Sequence, residues 1–328
     1  MEPNKKLTKT LGVNCAGLTL IELLIASTLG LFIVAIVFSL FLSSRLSLNE
    51  TERLSVINEN ARYAASVLIN ELRLVDFFGR TTSASISLDS DLVSIGGGDC
   101  SGNAAGYDLS NSLWVVLAEN STVANCVNNA ATNSDVIFIK RAGSDVVNFA
   151  DMESGKNYLM TNHMTGVLFN ESDTDSPPTS NVGGDVPGGE IQEYIAAAYY
   201  VRNVDGESPT LYRKRLTGSA WEDPGQEVAV GVERIHLQFG VDTNNDATAD
   251  FFVASGDVPT WDNVVSARLY LLVRSENADE DFTDTKTYQL GEAAFGGVTY
   301  EPNDNYHRLL VETSISFRNR RLIFSGGL

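Results

Sequence analysis

From Leu23 to Leu42 the chain runs for 20 residues without a charged side chain. A helix rises about 1.5 Å per residue, so this run reaches roughly 30 Å, the thickness of one hydrocarbon core. Lys5, Lys6 and Lys9 precede it, against one acid, Glu2, in the same stretch. That bias predicts a cytoplasmic N-terminus and an outside remainder. A cleavable export signal has a shorter apolar region followed by a small-residue cut site. No A-x-A site follows Leu42; the small residue of interest, Gly17, comes before the run. A cut there leaves the hydrophobic segment on the mature chain.

Glu22 sits at the start of this segment. A carboxylate in an apolar span costs about 2.5–3.5 kcal/mol on insertion scales, so it calls for a partner. Cleavage after Gly17 makes Leu18 the N-terminus and puts an amine about one helical turn from Glu22. In a helical assembly that carboxylate can pair with the amine of a neighbouring subunit.

Apolar residues continue past the membrane run at spacings of mainly three and four: Leu46, Leu54, Ile57, Ala61, Ala64, Leu68, Leu72 and Val75. They form one stripe on a helix. No proline lies between Pro3 and Pro177, and Gly79 is a natural stop. The pattern predicts one helix from about Leu18 to about Phe78, roughly 90 Å long. Residues 80–328 lack such periodicity and read as β-rich. Strands are expected at Leu113–Leu117, Asp135–Lys140, Ile191–Arg202, Thr210–Leu216, Gly231–Val241, Val264–Val273 and Arg308–Phe317. Loops are expected at Thr81–Asn111, Asn170–Gly189 and Glu276–Asp284.

The segment Gly17-Leu18-Thr19-Leu20-Ile21-Glu22-Leu23-Leu24 resembles the class III signal of type IV pilins and type II secretion pseudopilins. Asn60–Ala64, Leu72-Arg73 and Phe77–Gly79 resemble the stem of PilW-type minor pilins. Val264–Ser275, with its Leu-Leu-Val-Arg-Ser ending, and His307–Thr313 leading to Phe317–Arg320 resemble the family's later strands. The resemblance covers both ends of the chain and leaves residues 80–190 unmatched. It implies an α+β, type IV pilin-like fold, with a long N-terminal helix packed on a mainly antiparallel head. It implies a leader at 1–17, a transmembrane and amphipathic stem at 18–79, and a head at 80–328. A prepilin peptidase is expected to cut after Gly17 and methylate Leu18, and Glu22 to act in assembly. The expected partners are other minor pilins and the major pilin. The expected place is the inner membrane, with a periplasmic head that later joins an extracellular fibre. A GspJ-like pseudopilin and a membrane-anchored periplasmic enzyme or binding protein stand as alternatives.

Composition bounds the rest. There are 23 basic and 42 acidic residues, for a net charge of -19. Loss of a leader with three lysines and one glutamate takes this to -21, which argues against nucleic acid as a partner. Cys15 leaves with the leader, and Cys100 and Cys126 remain. An even count outside the cytoplasm predicts a disulfide, with two free thiols as the alternative. Asp242, Asn244, Asp246 and Asp250 match positions 1, 3, 5 and 9 of a calcium loop. Ala247 replaces its glycine, however, and Val253 its last carboxylate, so a solvated turn between strands is the competing reading. No other cofactor is expected. The sequence has no G-x-S-x-G, H-E-x-x-H or Walker A motif, and the chain reads as a structural protein. Glu222-Asp223, Asp279–Asp281, Arg213–Arg215 and Arg318–Arg321 are read as solvated charges.

Overall fold

The computed structural model describes residues 17, 19–170 and 177–319. The chain divides into two compact units, Met1–Arg53 and Leu54–Leu328. Helix α1, Leu20–Arg73, contributes to each. In the first unit its apolar side chains, among them Leu31, Phe32 and Val34, are exposed. This part is long and apolar enough to cross a membrane.

In the second unit α1 presents Ile57, Ala61, Ala64, Leu68 and Leu72 as a buried stripe, as their spacing requires. The helix ends at Arg73, one turn before the expected stop. Asp76 takes the left-handed conformation there with φ 62°. Packing explains the early exit. Val75 stays in the core under the helix, whereas Phe78 enters a different core. A continuous helix cannot deliver both.

The head contains β1 (Ile86–Leu88), β2 (Leu113–Leu117), β3 (Asp135–Val147), β4 (Asn157–Thr161), β5 (Gly166–Asn170), β6 (Glu190–Arg202), β7 (Thr210–Thr217), β8 (Ala220–Trp221) and β9 (Gln226–Val230). These form one sheet of order β1-β5-β4-β6-β3-β2, with β7 also on β6 and β8 and β9 on β7. Only β1 and β5 pair in parallel within it. A second, antiparallel sheet has the order β11-β10-β12-β15, from β10 (Val232–Val241), β11 (Phe251–Ala254), β12 (Val264–Arg274) and β15 (Arg308–Ser316). Hairpin β13 (Tyr288–Leu290) and β14 (Val298–Tyr300) completes the fold.

All seven expected strands are present. Strands β4 and β5 were not foreseen, and β1 lies inside the expected loop 81–111. The main core joins the α1 stripe to Leu113, Ile137, Ile139 and Tyr199 of the large sheet and to Ile235, Leu237, Phe239, Leu269 and Leu271 of the small one. Alternation along β10 sends His236 and Gln238 to the other face. Strand β12 is apolar on both faces because Tyr270 and Leu272 pack under Tyr288 and Leu290 of the hairpin.

Candidate functional site

The start of α1 is built by a local exchange of hydrogen bonds. Thr19 donates its N–H and its hydroxyl to Glu22 Oε2, each at 2.9 Å. Glu22 N–H donates back to Thr19 Oγ1 at 3.3 Å. This is a capping box, which satisfies amides that a helix leaves unpaired at its first turn. The Thr-x-x-Glu spacing is the sequence signature of this box. Leu18 lies outside the described residues, as do the leader residues 1–16. Gly17 is exposed.

Cys100 and Cys126 form a disulfide, with Cα atoms 4.8 Å apart and a sequence separation of 26. Both are buried in the core on the other face of the large sheet, with Tyr194, Tyr200 and Trp221. Asp99 organises the neighbourhood. Its Oδ1 accepts from the N–H groups of Cys100 and Gly106 and from Trp221 Nε1, at 2.7, 3.0 and 3.0 Å.

The four residues of the expected ion loop share one turn between β10 and β11. Asp242 is fully buried. It accepts from Asn244 and Asn245 N–H through Oδ1, at 3.1 and 2.7 Å. Its Oδ2 accepts from Ala247 N–H at 2.7 Å. Asp250 accepts from the N–H and hydroxyl of Thr243, at 2.8 and 2.6 Å. Asp246 accepts from the N–H of Thr248 at 2.8 Å and from its hydroxyl. The Thr248 and Thr243 hydroxyls hold the Asp246 and Asp250 carboxyls below their ordinary range. Val253, where a calcium loop places its last carboxylate, pairs with Phe239 inside the sheet. The side chains thus act as caps for the turn's own amides.

Several buried charges escaped the sequence reading. Arg308 has a side chain with no solvent exposure. It forks onto Glu233, with Nε to Oε2 at 2.6 Å and Nη2 to Oε1 at 3.0 Å. A second fork engages Asp304 at 2.6 and 2.7 Å. Asp284 lies 3.3 Å away. Tyr300 and Tyr288 donate to Glu233 and Asp284 at 2.9 and 2.8 Å. Burial disfavours the Arg308 cation, but the hydrogen bonds it donates to Asp304 and Glu233 hold it charged. Arg141 of β3 makes a similar fork with Glu71 of α1, both contacts at 3.0 Å. Lys140, next in sequence, is 1% exposed. Its Nζ donates to the carbonyls of Asn103 and Asp108 at 2.9 and 2.6 Å.

The reading of residues 213–215 and 222–223 as solvated is corrected at Lys214. It is buried and donates to the Cys126 carbonyl at 2.5 Å and to Asp223 at 3.3 Å. Period-two alternation turns Lys214 toward the disulfide side of the sheet, where the carbonyl awaits it. Arg320 and Arg321 lie outside the described residues.

Comparison with known proteins finds a match over part of the chain. Residues 198–319 match the model described as PilW, type IV pilus-assembly protein W. The match includes Val264–Ser275 and the stretch from His307 to Asn319, where the C-terminal resemblance lies. A solved type IV-like pilin from Thermus thermophilus is similar at 14% identity, covering 82% of this chain and 96% of that one, with a TM-score of 0.35. No curated protein matches the sequence.

Proposed function

We propose that this chain, whose residues 198–319 match the PilW family of type IV pilus-assembly proteins, is a minor pilin that primes or joins pilus assembly in a tip complex. The family match carries the reading and supports a pilus-related role. The long apolar helix supports a single membrane anchor. In this proposal residues 1–17 are a leader removed by a prepilin peptidase, and Leu18 becomes an N-methylated first residue. The mature protein waits in the inner membrane with its head in the periplasm, then moves into the fibre beside other minor pilins and the major pilin. Twitching motility, adhesion or DNA uptake follow from the assembled pilus.

The capping box gives Glu22 a second task. Thr19 remains after cleavage, so the box survives processing. Among the described residues only Oε2 of the carboxylate takes part in it, and Oε1 is the oxygen proposed to meet the amine of a neighbouring subunit.

Mass spectrometry of the N-terminal peptide from membranes of the native host tests this. The expected peptide begins at N-methylated Leu18, in the wild type and in Glu22→Ala alike, while the variant fails to enter sheared pili. An uncut chain, or one cut after Leu42, overturns the reading.

A further inference from the structure

A small polar cavity of about 110 Å³ lies within the head, lined by Glu233, Arg234, Arg274 and Tyr300 together with Asn203 and Thr132. Its two arginines are held in place by aromatic stacking. The Arg234 guanidinium sits 4.1 Å from the Tyr300 ring centre and that of Arg274 sits 3.9 Å from the Tyr306 ring centre. Arg234 spends one end, Nη1, on the carbonyls of Thr132 and Asn133, both at 3.1 Å. Arg274 finds no acceptor for its guanidinium among the described residues, and the Nε of each arginine is buried without a partner.

The nearby carboxylates are committed to other donors. Both oxygens of Glu233 are taken by Arg308, with Tyr300 as a further donor. Both oxygens of Asp304 are likewise held by Arg308. The arginines Arg234, Arg274 and Arg308 balance Glu233, Asp284 and Asp304 in formal charge. A dianion is therefore disfavoured beside Glu233, while one negative charge with planar, paired acceptors suits a guanidinium already fixed in orientation.

We propose that this cavity binds a singly charged carboxylate through Arg274 and the free end of Arg234. The carboxylate is that of a small free acid or of a glutamate side chain on another chain; the chemistry is the same.

The test titrates the full-length protein in detergent with ¹³C-labelled acetate at fixed ionic strength, followed by NMR line broadening. Chloride and phosphate serve as competitors. Acetate is expected to bind and phosphate to compete poorly. Arg274→Gln should weaken acetate at least tenfold, and Arg213→Gln, an arginine outside the cavity, should leave it unchanged. Asn203→Trp, at an exposed position on the rim, should block acetate without disturbing the buried groups, which covers the case of a misfolded Arg274 variant. N-acetylglutamate amide then separates the sources. Binding equal to or better than acetate assigns the site to a side chain, and exclusion assigns it to a free acid. Acetate displaced by chloride at equal concentration means a site for any small anion, and equal acetate affinity in wild type, Arg274→Gln and Asn203→Trp means no acetate site in the cavity; either result overturns the proposal.

Discussion

Lys140 has a measurable consequence at the scale of one residue. Burial lowers its ammonium to about 8, against the opposing pull of Asp108 and Asp99. Between this value and the ordinary lysine range near 10.4, the unfolded chain binds more protons than the folded one. Stability must therefore rise with pH across that window, by on the order of 2 kcal/mol from pH 8 to pH 10. Above pH 10 the direction reverses. Burial raises Tyr107 and Tyr200 to about 12, so the unfolded chain loses its phenol protons first. Urea denaturation at pH 8 and pH 10 checks this, and Lys140→Met should abolish the rise. Nothing in the sequence around Lys140 marks it as buried. Its acceptors come from residues 103 and 108, which reach it only through the fold.

At the scale of an element, α1 in the second unit illustrates how pattern becomes packing. Leu68 has no exposed surface and lies at the centre of the stripe. Leu68→Ala should cost about 2–5 kcal/mol, the range for cavities that neighbours cannot fill. A shift of the urea midpoint at unchanged slope would register it. A change under 1 kcal/mol would mean that the stripe is not the seam between helix and sheets. The stripe was legible because helical periodicity is local. The helix terminus was less so. Gly79 looked like the stop, but the competition between two cores for Val75 and Phe78 ends the helix at Arg73. Strands β4 and β5 were hidden for a similar reason. Five-residue runs such as Asn157–Thr161 carry little periodicity, and pairing of β4 with β6 and of β5 with β4 supplies the stabilisation.

At the scale of the whole molecule, Arg308 ties three parts of the head together. It belongs to β15, Glu233 to β10, and Asp284 and Asp304 to the segments flanking the β13–β14 hairpin. Removing a buried ion's partner strands the remaining charges. Arg308→Ala should thus cost about 3–5 kcal/mol and loosen the hairpin first. Hydrogen exchange at Tyr288–Leu290 and Val298–Tyr300 would reveal that order, and uniform loosening across the small sheet would count against it.

Residue pattern alone pointed to the apolar span, the helical stripe, seven strands and the pairing of Cys100 with Cys126. Each is written in composition or in a period of two or 3.6 residues, and both arise from backbone geometry that neighbours in sequence share. Which charges are buried, where the helix stops and which carboxylates cap a turn came from the packing of the folded chain. Asp135 makes the point. It reads as an ordinary strand-opening acid, yet it is fully buried, accepting from Leu237 N–H at 2.7 Å and from the Ser255 hydroxyl at 3.2 Å. Those partners lie more than a hundred residues away, and a polar group leaves water only when the fold brings such partners to it.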